Sequence, residues 1–267
     1  MQTDIREFDV QSIKQDGVIA IVGKRGSGKS VLIRDLLHKT AAKLPKQKYD
    51  VALAMSPVHD PLHDALETVS NEVTIMPDFN EDALAAFLDK MEESNRHLDR
   101  TNVAEACHGL VLMDGCTLNR TCMKTRTMRH LFLNGRHLRV TLVCSFQYLR
   151  EDFPPVLSSP CLSDLQPVLR SNIDYLFAFR EESRDIRMEL WRHFFGMFSR
   201  FDDFAKVFDV CTEGYHSLVL DNTNQSLGIE DQVAFYKADH DASTTTDPHE
   251  EAQAGQGWLE YLASFVW

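Results

Sequence analysis

Apolar residues gather in short unbroken runs along the chain, separated by stretches in which apolar positions recur every three or four residues. Val18–Val22 (VIAIV) is the first such run. Tyr49–Ser56 (YDVALAMS), Glu72–Met76 (EVTIM), Gly109–Asp114 (GLVLMD), Arg139–Gln147 (RVTLVCSFQ), Asp174–Arg180 (DYLFAFR) and Tyr215–Asn222 (YHSLVLDN) follow. Unbroken runs of this length predict strands buried on both faces, since a half-exposed strand would alternate apolar with polar residues. A helix is predicted from the glycine-rich segment after Val22 to about Lys43, with Pro45 ending it. A second is predicted after a cap at Asn80, over EDALAAFLDKMEESNRHL, and a third from about Leu118 to Leu133. Two short Phe-rich helices follow, in which Phe201, Phe204 and Phe208 have helical spacing and are expected in the core. Pro57 and Pro61 predict a loop in SPVHDPLHD, so His59 and His63 are read as loop residues rather than metal ligands. Strand runs alternating with helices predict an α/β fold with a mostly parallel central sheet covered by helices on both faces.

No internal repeat is visible. The segment after residue 237 turns polar, Thr-rich and acidic, and WLEYLASFVW closes the chain. Residues 1–237 are therefore expected to form one domain, 238–257 a flexible linker and 258–267 an aromatic C-terminal segment.

Of the 267 residues, 43% are apolar, enough for a sizeable core, and no run is long enough to predict a transmembrane segment. MQTDIREFDV lacks the basic start and apolar stretch of a secretory signal. Cys107, Cys116, Cys122, Cys144, Cys161 and Cys211 form no CxxC pair and are expected to be reduced packing residues. A net charge of −12 argues against a protein that coats duplex phosphates with its whole surface. Contact with nucleic acid would have to be confined to a local basic patch. The densest basic stretch is Asn119–His130, with Arg120, Lys124, Arg126 and Arg129.

The first strand runs into Gly23-Lys24-Arg25-Gly26-Ser27-Gly28-Lys29-Ser30, followed by Val31 at the start of the helix. This satisfies GxxxxGK[ST] in the required context of strand, loop and helix. Glycines let successive N–H groups turn toward phosphate oxygens, and the helix N-terminus adds partial positive charge. Lys29 is expected to reach the β- and γ-phosphates and Ser30 to hold Mg2+, so the loop is read as a site for ATP or another nucleoside triphosphate. Asp114, closing an apolar strand downstream, is the expected second magnesium ligand. The next residue is Gly115, where a carboxylate would be expected to polarise the attacking water. Glu151 and Glu181, each soon after a predicted strand, are the replacement candidates. Gln147 ends its strand and is positioned by sequence to sense the γ-phosphate. Arg136, in the turn before that strand, is expected to stabilise the transferring phosphoryl group in its own site or a neighbour's.

Taken in order, GKRGSGKS, LVLMDG, LFLNGRHLRVTLVCSFQ, LRSNIDYLFAFRE and VAFYKAD resemble the genome-packaging ATPases of the nucleocytoplasmic large DNA viruses, the poxvirus-type members of the FtsK–HerA superfamily. The Gly-Arg-His turn before a strand ending in Gln carries most weight, because generic P-loop proteins lack it. The resemblance spans roughly residues 15–240 and implies a RecA-like P-loop NTPase fold. It assigns Gly23–Ser30 to the phosphate loop, Asp114 to the magnesium carboxylate, Gln147 to the sensor and Arg136 to the family arginine. It also implies a homo-oligomeric ring that threads double-stranded viral DNA into a capsid. Capsid or membrane-associated virion proteins are the implied further partners, in the virion or at an assembly site in the host cytoplasm. Gly115 departs from the family pattern, which leaves open a second reading: a nucleotide-binding assembly subunit with weak or no hydrolysis. A small-molecule kinase also uses such a loop but would need an arginine-rich lid and a compact acceptor pocket, and neither pattern is visible.

Overall fold

Val18, Ala20 and Val22 pack on one face of strand β2 (Val18–Val22), and Ile19 and Ile21 pack on the other. The same division recurs along β5 (Gly109–Met113), β6 (Val140–Phe146) and β7 (Tyr175–Phe179), as a strand with a period of two and two covered faces requires. These facts come from a computed structural model, which describes residues 5–56, 61–96, 105–115, 122–147, 165–224, 226 and 228–239. His59, Cys116, Arg120, Glu151, Cys161 and almost all of the segments 238–257 and 258–267 lie outside the described residues.

The remaining strands are β1 (Arg6–Glu7), β3 (Tyr49–Met55), β4 (Ser70–Met76), β8 (Ser217–Asp221) and β9 (Val233–Tyr236). All nine join one sheet in the order β1-β9-β8-β7-β2-β6-β5-β3-β4. Every pairing is parallel except those of β8, which runs antiparallel to β7 and β9. Helices α1 (Lys29–Ala41) and α2 (Pro61–Val69) cover one face through Leu32, Ile33, Leu36, Leu62 and Leu66. The other face is covered by α3 (Glu81–Asn95), α4 (Arg126–Asn134), α6 (Arg184–His193) and α7 (Phe201–Cys211). Two short helices, α5 (Pro167–Arg170) and α8 (Ile229–Gln232), complete the described set. The chain thus has the α/β architecture read from its sequence, with a mostly parallel sheet between two helical layers. No helix among the described residues is long and apolar enough to cross a membrane.

Three expectations need correction. The segment after Pro61 is helical, because proline suits the first helical turn, where its missing N–H costs no hydrogen bond. His63 is buried in that helix. The helix expected from Leu118 starts at Arg126, where Thr125 Oγ1 accepts the Met128 amide at 3.2 Å; the single turn Cys122–Lys124 precedes it. Tyr215 and His216 precede β8 rather than joining it. Other expectations hold among the described residues. Asn80 caps α3 by accepting the Ala83 amide at 2.9 Å. Phe204 and Phe208 are fully buried, with Phe201 packed beside them. Cys122, Cys144 and Cys211 are buried and form no disulfide among the described residues, and burial pushes the Cys211 thiol up to about 12.

A polar cluster fastens α1 to the last strand. Asp35 is fully buried and accepts a short hydrogen bond from the Tyr236 hydroxyl on β9. Lys39 bridges Asp35 at 2.9 Å, the Tyr236 hydroxyl at 2.8 Å and Asp239 at 2.6 Å. Tyr236→Phe keeps the ring but removes the donor to a buried carboxylate. It is expected to destabilise the fold by about 1–3 kcal/mol. Denaturant midpoints should show less than additive loss when it is combined with Asp35→Asn, since the two groups share one bond.

Candidate functional site

β2 ends at the carboxyl edge of the sheet, and the chain must turn there into α1 within a few residues. Gly23 makes this possible by close approach. A Cβ on it would lie 2.5 Å from Ser27 Oγ and 2.9 Å from Phe179 Cβ. The Gly23 amide donates to Phe146 O on β6 at 3.2 Å, and the Ser27 amide to Lys24 O at 3.3 Å. Gly26 and Gly28 have φ of +76° and +101°, where a side chain is strained. Gly28 is the N-cap of α1 and offers no side-chain acceptor, and the first turn holds no acidic residue. The leading amides of a helix have no partner within the helix, so this end attracts an anion.

Lys29 folds back over the loop. Its side chain is buried, and Nζ donates to Gly23 O at 2.8 Å and Lys24 O at 2.9 Å. Burial pushes its pKa down from the ordinary 10.5, opposed by the charge of Asp114. Ser27 Oγ is buried and has no hydrogen-bond partner among the described residues, a cost that an oxyanion in the loop would remove. Ser30 follows Lys29 in the first turn of α1, with Val31 half-buried beside it. An unpartnered hydroxyl, a buried ammonium and a loop that excludes side chains fit a polyphosphate.

Asp114 emerges from β5 at the same edge, its amide bonded to Met55 O on β3 at 3.1 Å. Its carboxylate accepts a short hydrogen bond from Ser145 on β6, which fixes it beside the loop. β6 lies next to β2 with Val22 opposite Phe146, so Gln147 leaves β6 alongside Gly23. The Ser30 hydroxyl and the Asp114 carboxylate are hard oxygen donors suited to Mg2+. Sequence reasoning misses Ser145; its signal is a lone hydroxyl near the end of an apolar strand. Gly115 has φ of +62°, a left-handed conformation that residues with a side chain seldom adopt, so glycine suits the position after Asp114. Glu181 is buried and accepts the amides of Glu182 and Ser183, both at 2.8 Å, so its carboxylate braces the turn before α6.

Arg136 is the predicted site residue that the fold keeps apart from the others. It lies in the turn from α4 to β6, at the amino edge of the sheet. It pairs there with Asp174 at 2.5 Å, and Asp174 also accepts the Val18 amide at 2.8 Å. The length of β2, about 3.3 Å per residue, separates that edge from the phosphate loop. The fold therefore does not bring Arg136 to its own chain's loop, and 59% of its side chain is exposed. Lys124, Arg126, Arg129 and His130 are exposed at and along α4.

A family model described as Poxvirus A32 protein matches residues 5–163. Protein L437 of Acanthamoeba polyphaga mimivirus is 26% identical over 239 residues, covering 88% of this chain and 77% of its own. Among solved structures, B204, the DNA-packaging ATPase of Sulfolobus Turreted Icosahedral Virus, superposes with a TM-score of 0.57 at 15% identity, covering 85% of this chain and 100% of B204. The genome packaging NTPase B204 of Sulfolobus turreted icosahedral virus 2, in complex with ATP-gammaS, gives a TM-score of 0.52 at 15% identity, covering 84% of this chain and 98% of its own. At such identities the solved structures establish the shared fold.

The buried Lys29 sets a pH dependence for anion binding. Deprotonation removes the positive charge, and the depressed pKa brings that loss to lower pH than for an ordinary lysine. Affinity for inorganic tripolyphosphate is therefore expected to fall as pH rises, starting below 10.5. Calorimetry across the alkaline range checks this, and Lys29→Ala should abolish the trend along with most of the affinity.

Proposed function

The chain belongs to the poxvirus A32 protein family, and on that premise we propose that it is an ATP-driven translocase of double-stranded DNA that packages a viral genome into its capsid. One observation carries the reading: buried Lys29, unpartnered Ser27 Oγ and the Ser145-held Asp114 converge at the carboxyl edge of one sheet. Further support comes from the DNA-packaging ATPase B204, whose fold the chain shares and whose relative binds ATP-gammaS.

The roles follow from chemistry and position. Amides of residues 23–30 and the Lys29 ammonium hold the β- and γ-phosphates of ATP. Ser30 and Asp114 would hold magnesium, which supplies charge neutralisation on the phosphate oxygens when bound. Ser145 keeps the Asp114 carboxylate in one orientation. Gln147 uses its amide to orient the attacking water. Arg136, remote from its own loop and exposed, serves the site of a neighbouring subunit in a homo-oligomeric ring. That arrangement ties turnover to assembly and lets hydrolysis at a boundary switch the packing of two subunits. The exposed cations at and along α4, together with Arg120, supply the local DNA contact that an acidic protein of net charge −12 requires. Capsid or membrane-associated virion proteins at the viral assembly site are the further partners of this reading.

A second reading is favoured by Gly115, which puts no side chain directly after Asp114 in sequence. In that case the chain binds nucleotide and acts in assembly without turning it over.

Phosphate release by the assembled protein, with and without duplex DNA and at several salt concentrations, decides between them. The motor reading expects DNA-stimulated turnover that Lys29→Ala abolishes. Absence of release in both the parent and Gly115→Glu would leave the binding subunit. Mixing Lys29→Ala with Arg136→Ala copies is expected to restore part of the turnover that each lacks alone, since some boundaries regain both groups. No recovery would remove the role in trans. Neutralising Arg120, Lys124, Arg126 and Arg129 should weaken duplex binding and flatten its salt dependence by about one unit of slope for each phosphate no longer neutralised. An unchanged slope would move the DNA-binding surface elsewhere.

A further inference from the structure

Tyr215 has no part in the chemistry above, yet its setting is unusual. It ends the single turn Glu213–Tyr215 between α7 and β8, and its side chain is 71% exposed. The other aromatic side chains among the described residues are buried or half-buried. Its φ is +67°, directly after Gly214 at +57°. A bulky residue in the left-handed region is strained, and such strain persists where the surroundings hold it. Here the His216 amide donates to Glu213 O at 3.0 Å, the His216 ring nitrogen lies 2.6 Å from the same oxygen, and Thr212 Oγ1 donates to Phe208 O at 2.6 Å.

The turn lies at the edge that carries the phosphate loop. β8 starts where β7 ends, with Ser217 opposite Phe179, and β7 borders β2 with Ala178 opposite Val22. The Tyr215 ring reaches the N-terminus of α1. Its Cδ1 lies 3.7 Å from the point where a Gly28 Cβ would stand, and Phe179 Cε1 lies 3.4 Å from the same point. The two rings close around a glycine with no side chain between them. Asp114 and Gln147, by contrast, leave β5 and β6 on the other side of β2. A triphosphate whose terminal group faces Asp114 and Gln147 must extend its nucleoside the opposite way, toward β7 and β8.

We propose that Tyr215 is the stacking platform for the nucleobase. The inference rests on reading residues 23–30 as a triphosphate site and adds the element that holds the other end of the ligand. Stacking uses the π-face common to all bases, so the platform adds affinity and tolerates different bases. Reversing β8 brings the turn to this edge, and the left-handed conformation keeps the ring out of the core.

The test compares ATP with inorganic tripolyphosphate, which lacks the base, by calorimetry on the assembled protein. Tyr215→Ala is expected to weaken ATP binding by about fivefold to a hundredfold and leave tripolyphosphate unchanged, while Tyr215→Phe binds both like the parent. Tyr215→Gly, relieved of the left-handed strain, should keep the parent's melting temperature and bind ATP as weakly as Tyr215→Ala. Equal ATP affinity in Tyr215→Ala and the parent overturns the proposal. A parallel loss of both ligands also overturns it, since the ring would then merely prop the loop. If the parent binds neither ligand, the triphosphate site itself is wrong and the platform falls with it.

Discussion

Everything at the functional edge depends on the close approach that Gly23 permits. At that point the end of β2, the hydroxyl of Ser27 and the ring-bearing end of β7 come within distances that leave no room for a methyl group. Backbone packed this closely exposes its amides in a concave turn, and an alkyl group there would push the turn open. The buried ammonium of Lys29 then satisfies two carbonyls of the same turn, so the loop keeps its curvature through its own lysine. The shape is set by main chain and one cation, which suits recognition of an anion with little chemical detail of its own.

Around that turn the sheet acts as a positioning device. Because β5 and β6 follow β2 in space and run parallel to it, Asp114 and Gln147 leave their strands at the same level as the loop. The same parallel order sends Arg136 to the opposite edge. Groups a short distance apart in sequence, such as Arg136 and Gln147, are thus separated by the length of a strand. The separation gives the chain two chemically distinct edges, one carrying the glycine loop with its buried lysine and one carrying an exposed guanidinium braced by Asp174.

Much of this is legible in the sequence, and the gaps have physical causes. Unbroken apolar runs locate the principal strands, and the glycine pattern locates the loop with its lysine and serine. An apolar run looks the same in either direction, so the reversal of β8 leaves no trace in its composition. Pro61 reads as a breaker in sequence, although the first turn of a helix accepts proline. Ser145 matters through one hydrogen bond to a residue far along the chain, and spacing does not encode such a pairing. The edge occupied by Arg136 requires strand order, which follows from the packing of crossover helices. Gly115 is legible as a missing acid, but its left-handed backbone is not.

The cluster of Asp35, Lys39, Tyr236 and Asp239 gives α1 a second attachment. One end of this helix begins at the glycine turn, and farther along it is tied through buried Asp35 and part-exposed Lys39 to Tyr236 on β9 and to Asp239 just after it. A rod fixed at both ends cannot tilt at one without straining the other. The glycine loop and the end of β9 therefore share one rigid link, and a displacement of α1 at the turn would load the Asp35–Tyr236 and Lys39–Asp239 contacts.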